Sequence, residues 1–263
     1  CIGMGRGFRV ASVWAENQGA LVSSRVLHRV PSRVTSSNSN ENSAYGMNPE
    51  SSWYAGLHLR HDFRFNYRNA SLNLDFQHHE FTEQVLVDYD RNPGALWLYN
   101  LNGRSYSRSA QIELQVQPVK RQEIRLAYRI QEVISDYSLS DYTVQRRFKP
   151  LVPAHRAMMN WSYRTKKRWE WDATVQVFGP KRIPNAAAPY SPWYAVVMGQ
   201  VTRNFKKGSL YLGVENLGDY RQSNLILSAD QPFTPAFDAS LVWGPAIERM
   251  VYAGFRYRLA SKV

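Results

Sequence analysis

Hydrophobic and polar residues alternate one by one along many segments of the chain. In the clearest segment the apolar positions are Ile124, Leu126, Tyr128 and Ile130, and Arg125 and Arg129 lie between them. Because successive side chains of a β-strand point to opposite faces, this pattern predicts a strand with one apolar and one charged face. Comparable segments lie at residues 5–10, 53–65, 70–77, 110–117, 123–131, 157–164, 169–177, 194–203, 209–217 and 250–259.

The connections between these segments alternate in length. The short ones are polar and lie at residues 66–69, 118–122, 165–168 and 204–208. The long ones lie at residues 11–51, 90–104, 136–153, 181–193 and 218–249. Short turns at one end and long loops at the other are typical of an outer-membrane barrel, whose strands run up and down between the periplasmic and extracellular sides.

A soluble antiparallel β-sandwich also shows alternation and is the main structural alternative. Two features favour the barrel: the regular change from short to long connections, and the aromatic residues at the ends of apolar faces, such as Trp53, Phe65 and Trp169. Aromatic girdles at both membrane interfaces predict such clustering. We therefore expect an all-β, antiparallel, up-and-down transmembrane β-barrel. In this barrel we expect Ile124, Leu126, Tyr128 and Ile130 to face lipid. Arg125 and Arg129 should face the lumen.

Composition agrees with strands that have one wet and one apolar face. Aromatic residues make up 13% of the 263 residues, the mean hydropathy is −0.47, and the chain contains no apolar run of about 18 residues, the length that a membrane-spanning helix needs. The single cysteine, Cys1, excludes an internal disulfide. The formal net charge is +12, but the basic residues cluster in the short turns, are otherwise scattered over polar strand faces, and form no single stripe. We therefore expect no nucleic-acid partner.

No catalytic, metal-binding or cofactor motif stands out. His78, His79 and Glu80 could suggest a metal site, but adjacent residues of a strand point to opposite faces, so ordinary strand-end residues are the better interpretation. Gly3, Gly5 and Gly7 lack the strand-then-helix context of a dinucleotide-binding loop. The sequence contains neither G-x-S-x-G nor H-E-x-x-H. We expect a protein that is not an enzyme and has no catalytic residues, metal ligands or cofactor.

The C-terminal third resembles the end of a TonB-dependent receptor. The segment that carries this resemblance is V-E-N-L-x-D, which comprises Val214, Glu215, Asn216, Leu217 and Asp219 and is followed by a loop and a final strand. Two N-terminal segments are similar to elements of the same family: residues 5–17, which contain Gly-Phe-Arg, and residues 48–53, which read N-P-E-S-S-W. The resemblance covers nearly the whole chain and is strongest in residues 45–134 and 205–259.

The final strand also resembles the barrel-assembly signal of such proteins, a polar residue and glycine followed by hydrophobic and aromatic residues at two-residue spacing. The matching residues are Tyr252, Gly254, Tyr257 and Leu259. The family usually ends on Phe or Trp, whereas here Leu259 stands in that position and four residues follow it.

The resemblance implies a function in nutrient uptake across the outer membrane. We expect residues 1–263 to form part of one domain, about ten C-terminal strands of a barrel of about 22 strands, with the plug domain, the TonB box and the other strands outside this sequence. The implied partners are outer-membrane lipid, the protein's own plug and remaining barrel strands, a TonB-type energy transducer and the barrel-assembly machinery. The implied solute is a ferric siderophore, cobalamin or a glycan. A non-energised porin-like or adhesin-like barrel is the alternative.

Recognition residues concentrate on long loops held by a rigid scaffold. We therefore predict that solute contacts the loops and not the turns, and that the contacting residues belong to residues 7–21, 92–102 and 218–245. The candidates are Arg9, Trp14, Glu16, Trp97, Tyr99, Gln222 and Asp238.

Overall fold

The computed structural model describes residues 1–30, 46–138, 143–185 and 188–257. Nearly all regular structure in these ranges is β-strand. The strands are β1 (Ile2–Arg9), β2 (Val26–Arg29), β3 (Glu50–Phe65), β4 (Arg68–Glu83), β5 (Val85–Asn92), β6 (Ala95–Asn100), β7 (Ser105–Val116), β8 (Gln122–Ser138), β9 (Val144–Phe148), β10 (His155–Arg164), β11 (Trp169–Phe178), β12 (Tyr194–Asn204), β13 (Gly208–Glu215) and β14 (Met250–Tyr257). A short helix α1 (Val13–Glu16) and a 3-10 turn (Gln18–Val22) follow β1. None of the described helices is long and apolar enough to cross a membrane.

One large sheet contains the ten strands that the sequence predicts. Its order is β1-β3-β4-β7-β8-β10-β11-β12-β13-β14, every neighbouring pair is antiparallel, and β9 pairs with the loop-side end of β8. Sequence neighbours lie side by side wherever a short turn joins them, as in β3–β4 and β10–β11. The predicted fold class is confirmed: an up-and-down antiparallel sheet that matches part of a β-barrel.

The strand register places the apolar residues of neighbouring strands side by side. Leu126 on β8 lies opposite Leu114 on β7 and Met159 on β10. Leu126, Tyr128 and Ile130 are 40–43% exposed, so no other described residue covers this face. This apolar face continues from β3 to β14. On β8 it comprises four residues, Ile124, Leu126, Tyr128 and Ile130. We call it the outer face.

The opposite face, here called the inner face, carries the polar and charged residues. Arg125 lies on it and donates to Glu113 at 2.9 Å, and Arg129 donates to Ser109 at 3.3 Å. His58 and Asp75 are in contact at 2.6 Å on neighbouring strands. The predicted orientation of Arg125 and Arg129, opposite to Leu126, is thus found in the structure.

A second, smaller sheet occupies a stretch that the sequence suggested was a loop. Its order is β2-β6-β5, and β2 pairs with β6 in parallel, which departs from the expected antiparallel pattern. β5 and β6 form a hairpin around Asn92-Pro93-Gly94, where the Asn92 side chain accepts from the Gly94 amide at 2.7 Å. The loop expected at residues 90–104 is therefore mostly strand.

This small sheet packs on the inner face of the large one. Leu86 and Tyr99 form a buried cluster with Tyr137, an inward residue near the loop-side end of β8. Ser105 and Ser135, two further inward residues, share a buried hydrogen bond of 2.8 Å, and Ser105 donates to Gln84 at 2.6 Å. The small sheet consequently lies over the lumen side of the strand ends.

Two tyrosines fold over glycines on the inner face of the last hairpin. A Cβ atom on Gly254 would lie 2.3 Å from the Tyr211 hydroxyl, and one on Gly213 would lie 2.3 Å from the Tyr252 ring. Since Gly213 pairs with Tyr252 and Tyr211 pairs with Gly254 in the register, the two contacts are reciprocal. Slippage by one residue would remove both contacts, so they help to fix the register of β13 and β14.

Candidate solute-binding loops

The long connections meet at one end of the large sheet and are held together by their own contacts. Ala11 and Val13, which follow β1, pack in a buried cluster with Met47 and with Leu98 of β6. The buried cluster joins the connection after β1 to the small sheet, although the two are about 85 residues apart in sequence. The described parts of these loops therefore form a layer at one end of the sheet.

A buried ion pair joins the first and last loops. Arg25 and Asp238 approach to 2.6 Å, and their side chains are 4% and 3% exposed. The backbone of Asp238 also pairs with Leu227 in both directions, at 2.8 and 3.1 Å. Removal of one partner would leave the other charge buried and unpaired, so both residues are needed together to keep the two loops in contact here.

Asp90 forms a second ionic link between loops. Its carboxyl group lies 2.9 Å from Arg182 and 3.4 Å from Arg147, and all three side chains are less than one-fifth exposed. Arg182 also donates to the carbonyl oxygen of Phe148 at 2.6 Å. The end of β5 is thereby joined to the loops on either side of β10 and β11.

Gln222 holds the last loop in a closed shape. Its side-chain oxygen accepts from the amides of Trp243 and Gly244 at 2.7 and 2.9 Å, and its nitrogen donates to the Leu241 carbonyl at 3.0 Å. Gln222 is only 5% exposed. Its side-chain oxygen and nitrogen both have partners in the protein, as buried polar groups normally do.

The motif that carries the family resemblance closes the base of the same loop. Asn216 lies in the left-handed region at φ 50°, where Asn is tolerated, and its side chain bonds the backbone of Tyr220 and of Ile247. Asp219 accepts from the Arg249 amide at 2.8 Å. The motif thus joins the end of β13 to the start of β14.

A cavity of about 970 Å³ opens between four segments: the connection after β1, the tip of the β5–β6 hairpin, the connection after β11 and the last loop. Its walls include Arg25, Tyr190, Tyr220, Arg221 and Trp243, and its surface is mostly apolar. Tyr220 stacks on Tyr194 with ring centroids 5.1 Å apart, which fixes the floor of the cavity. Aromatic walls suit a solute that is largely apolar or planar. The guanidinium groups of Arg25 and Arg221 in these walls are each paired with a carboxylate.

Lys181 supports the cavity floor from behind. Its ammonium group donates to the Tyr194 hydroxyl at 2.9 Å and to the carbonyl oxygen of Trp243. Burial lowers the pKa of Lys181, and the positive charge of Arg156 lowers it further. Through its two hydrogen bonds Lys181 links β12 to the last loop.

Three of the predicted solute-facing residues lie at the loop end of β1. Arg9 bridges Glu16 at 2.9 Å and Glu50 at 2.7 Å, and Glu50 also accepts from the Val85 amide. Trp14 is half-buried in helix α1, while Arg9 and Glu16 are exposed. These three do not line the 970 Å³ cavity, and their contact with solute stays a prediction.

The other four predicted residues have structural partners. Trp97 stacks on His28 at 4.5 Å and lies under Arg91 at 4.0 Å, and Tyr99 is buried. Neither lines the cavity. Gln222 and Asp238 do contribute to the cavity wall, but both are buried and their polar atoms bond to the protein.

The sequence analysis did not single out Arg25, Tyr190, Tyr220, Arg221 or Trp243. The three aromatic residues, Tyr190, Tyr220 and Trp243, lie in long connections rich in Pro and Gly. Two aromatic residues in one connection, as in residues 218–249, are a signal that the loop is ordered. Nothing in the local sequence signals that Arg25 meets Asp238, 213 positions further on.

The predicted barrel-assembly residues lie on the last strand, except for Leu259, which falls outside the described residues. Tyr252 and Gly254 take part in the reciprocal tyrosine–glycine packing, and Tyr257 is 59% exposed at the turn-side end of β14. Their recognition by assembly machinery stays a prediction.

The adjacent histidines His78 and His79 lie on opposite faces of β4. His78 lies on the outer side near Glu80 at 3.3 Å, whereas His79 lies on the inner side against Tyr54. Within the described ranges, no three His, Cys, Asp or Glu side chains come together as a metal site would require.

The small sheet offers a testable polar contact. The Tyr99 hydroxyl donates to Asp88 at 3.0 Å and accepts from the Ser138 amide at 3.1 Å, and Asp88 is fully buried. We expect Tyr99→Phe to reduce the opening free energy of this sheet by about 1–3 kcal/mol, because both partners lose a buried bond. Hydrogen exchange of residues 85–101 in the full-length protein measures it. The control is Tyr67→Phe, since Tyr67 is 95% exposed.

The same contact predicts a pH dependence. Burial, aided by Asp88, raises the pKa of Tyr99 above its ordinary value. The stability from this group is therefore complete below pH ~10, where an unfolded tyrosine begins to ionise, and is lost as the pH rises further. Exchange of residues 85–101 should accelerate above pH ~10 less steeply in Tyr99→Phe than in the natural protein. Equal slopes in the two proteins would contradict this assignment.

Comparison with known proteins establishes the fold. No protein-family model and no curated protein sequence matches the chain. Solved structures do match. The copper transporter OprC aligns with a TM-score of 0.63 and 14% identity, over 97% of this chain and 35% of its own. The ferric enterobactin receptor PfeA of Pseudomonas aeruginosa has a TM-score of 0.57 and 13% identity, over 97% and 37%.

A third match is the ferric-catecholate import receptor Fiu of E. coli K12, with a TM-score of 0.54 and 13% identity, over 84% of this chain and 29% of that one. All three are TonB-dependent receptors of the outer membrane. This chain therefore has the fold of one section of such a barrel, and it spans about a third of the length of these structures.

Proposed function

We propose that residues 1–263 are the C-terminal part of the barrel domain of a TonB-dependent outer-membrane receptor that imports a large nutrient. The observation that carries the proposal is the outer face, which stays apolar across the large sheet while the inner face stays polar. A face of this kind needs lipid around it, and the polar side suits a water-filled or plugged lumen.

The loop layer supports the transport role. The 970 Å³ cavity lies among the long loops, which would face the cell exterior, and not among the short turns. Its size suits a solute of the siderophore or cobalamin class, and a glycan is the remaining candidate. The plug, the energy transducer and the remaining strands are proposed partners, as is the barrel-assembly machinery.

The proposal predicts energised uptake. A strain that produces the full-length protein should accumulate one of these solutes, and deletion of the TonB-type transducer should abolish accumulation. Solute-independent permeability that survives this deletion would instead support a non-energised porin-like barrel, and surface attachment without uptake would support an adhesin-like one.

The cavity gives a second test of the same proposal. Tyr190 lines the cavity and is 49% exposed, so Tyr190→Ala should leave the fold intact. We expect it to weaken solute binding about 10-fold, the effect of removing an aromatic anchor. Phe233→Ala is the control, because Phe233 is 98% exposed and does not line the cavity. Equal affinity of both variants would exclude the cavity as the binding site.

A further inference from the structure

The basic residues of this chain differ sharply between the two ends of the large sheet. At the loop end most arginines are paired with an acidic side chain: Arg9, Arg25, Arg104, Arg108, Arg146, Arg147, Arg182 and Arg221. These contacts occupy the cations and link loop and strand-end residues to one another. They leave little free charge for an external anion.

At the turn end ion pairs lie on the strands, as between Arg164 and Glu170 at 3.6 Å, and the turns themselves differ. The four turns that join β3–β4, β7–β8, β10–β11 and β12–β13 contain no acidic residue. The basic residues of these turns, together with Arg68 at the first position of β4, are Arg68, Lys120, Arg121, Lys166, Lys167, Arg168, Lys206 and Lys207. None of these forms an ion pair within the part of the chain that the structure describes. We call these eight side chains the turn-edge cations, and they account for much of the net charge of +12.

Aromatic side chains lie beside the turn-edge cations. Tyr67 is 95% exposed, and Phe65 and Phe205 are each 50% exposed. The Arg203 guanidinium lies 5.1 Å from the Trp169 ring centroid and 5.9 Å from that of Phe205. A rim of exposed aromatic rings and basic side chains is typical of the boundary between hydrocarbon and headgroups.

We propose that the turn-edge cations bind anionic phospholipid headgroups and so give the turn end of the barrel a preference for anionic over zwitterionic lipid. This inference rests on the proposed membrane barrel, since lipid reaches the turns only if the outer face spans a bilayer. Each Lys or Arg near an anionic surface contributes favourably, and eight without acidic partners act in the same direction. The adjoining aromatic rim favours lipid over an acidic protein as the partner.

Spin-labelled lipids test the preference directly. The full-length protein is placed in phosphatidylcholine bilayers, and electron spin resonance measures how much more phosphatidylglycerol than phosphatidylcholine is immobilised at the protein surface. We expect a ratio above one for the natural protein. We expect Lys166→Gln/Lys167→Gln to lower the ratio by about twofold, and high salt to lower it as well.

A loop-end variant is the matched control. Lys149→Gln/Arg249→Gln removes two exposed cations at the other end of the sheet, so it changes the net charge equally. The ratio should stay at the natural value in this variant. A natural ratio of one would overturn the inference and favour an acidic protein as the partner of the turns. An equal drop in both variants would also overturn it, because the effect would then follow net charge and not the turn end.

The inference and the proposed function can fail separately. Immobilised phosphatidylcholine at the surface of the natural protein shows a bilayer-spanning barrel whatever the lipid ratio is.

Arg121 and Arg168 are kept in all variants because both have left-handed backbone conformations, at φ 68° and 63°, and their replacement could disturb the turns themselves.

Discussion

Replacing Asp238 with alanine should open the loop layer while the barrel stays folded. The change leaves Arg25 as an unpaired charge in a site where its side chain is 4% exposed. Loss of one partner of a buried pair costs about 3–5 kcal/mol. Hydrogen exchange of the amides of Leu227 and Ala239, which bond to Asp238 and Val22, should therefore accelerate by about 100-fold or more.

Two further variants show whether the charge is the cause. Glu248→Ala breaks the ion pair with Arg221, but these side chains are 69% and 49% exposed, so exchange should hardly change. The double change Arg25→Met/Asp238→Leu removes both charges and should restore most of the protection, since no charge is left buried alone. A double variant less stable than Asp238→Ala would contradict the explanation.

Arginine on the outer face should destabilise the barrel, whereas arginine on the inner face should not. Ile112 and Gln111 are neighbours on β7 but belong to opposite faces: Ile112 lies opposite Leu74 and Tyr128, and Gln111 lies between Asp75 and Arg129. We expect Ile112→Arg to reduce the free energy of unfolding by about 2–4 kcal/mol, the cost of a lipid-facing arginine near the bilayer midplane.

Gln111→Arg is the control for this prediction. It introduces the same side chain one residue away, on a face that already holds Arg125 and Arg129, and its cost should be small. Urea unfolding of the full-length protein in phospholipid vesicles measures both variants. Similar losses in the two would mean that the outer face does not contact hydrocarbon.

Much of the large sheet could be predicted because its strands carry their own signal. The alternation around Leu126 depends only on which face is wet, and the short turns fix which strands are neighbours. The predicted strand bounds were too short: β3 begins at Glu50 rather than Trp53, and β4 extends to Glu83 rather than Gln77. The added residues include Glu50, Glu80 and Glu83, and such charges at the loop end interrupt the alternation of apolar and polar residues.

The small sheet was missed for a physical reason. Its parallel pairing joins β2 to β6 across about 70 residues, and such contacts leave no mark on the local pattern. One signal was present: two apolar runs flank Asn92-Pro93-Gly94, which is typical of a hairpin. A hairpin predicted from this signal would place Leu86 and Tyr99 on two apolar strands, which are expected to bury such residues.

The solute-facing candidates were chosen by loop position and residue type alone. That choice cannot separate a side chain that lines a cavity from one that holds the loop together. Gln222 and Asp238 show the difficulty, since their polar atoms are used to close the loop around the cavity. Only the folded loops show that Tyr190 and Trp243 share a cavity with Arg25.

The central claim is that the apolar face of this sheet contacts lipid and the polar face contacts the lumen. The most direct measurement is a spin-label scan of residues 124–130 on β8 in the full-length protein in bilayers, after Cys1 and any further cysteine are replaced by serine. We predict that labels at residues 124, 126, 128 and 130 collide mainly with oxygen, which concentrates in hydrocarbon, and that labels at 125, 127 and 129 do not. Accessibility without this two-residue period, or with the reverse phase, would contradict the claim.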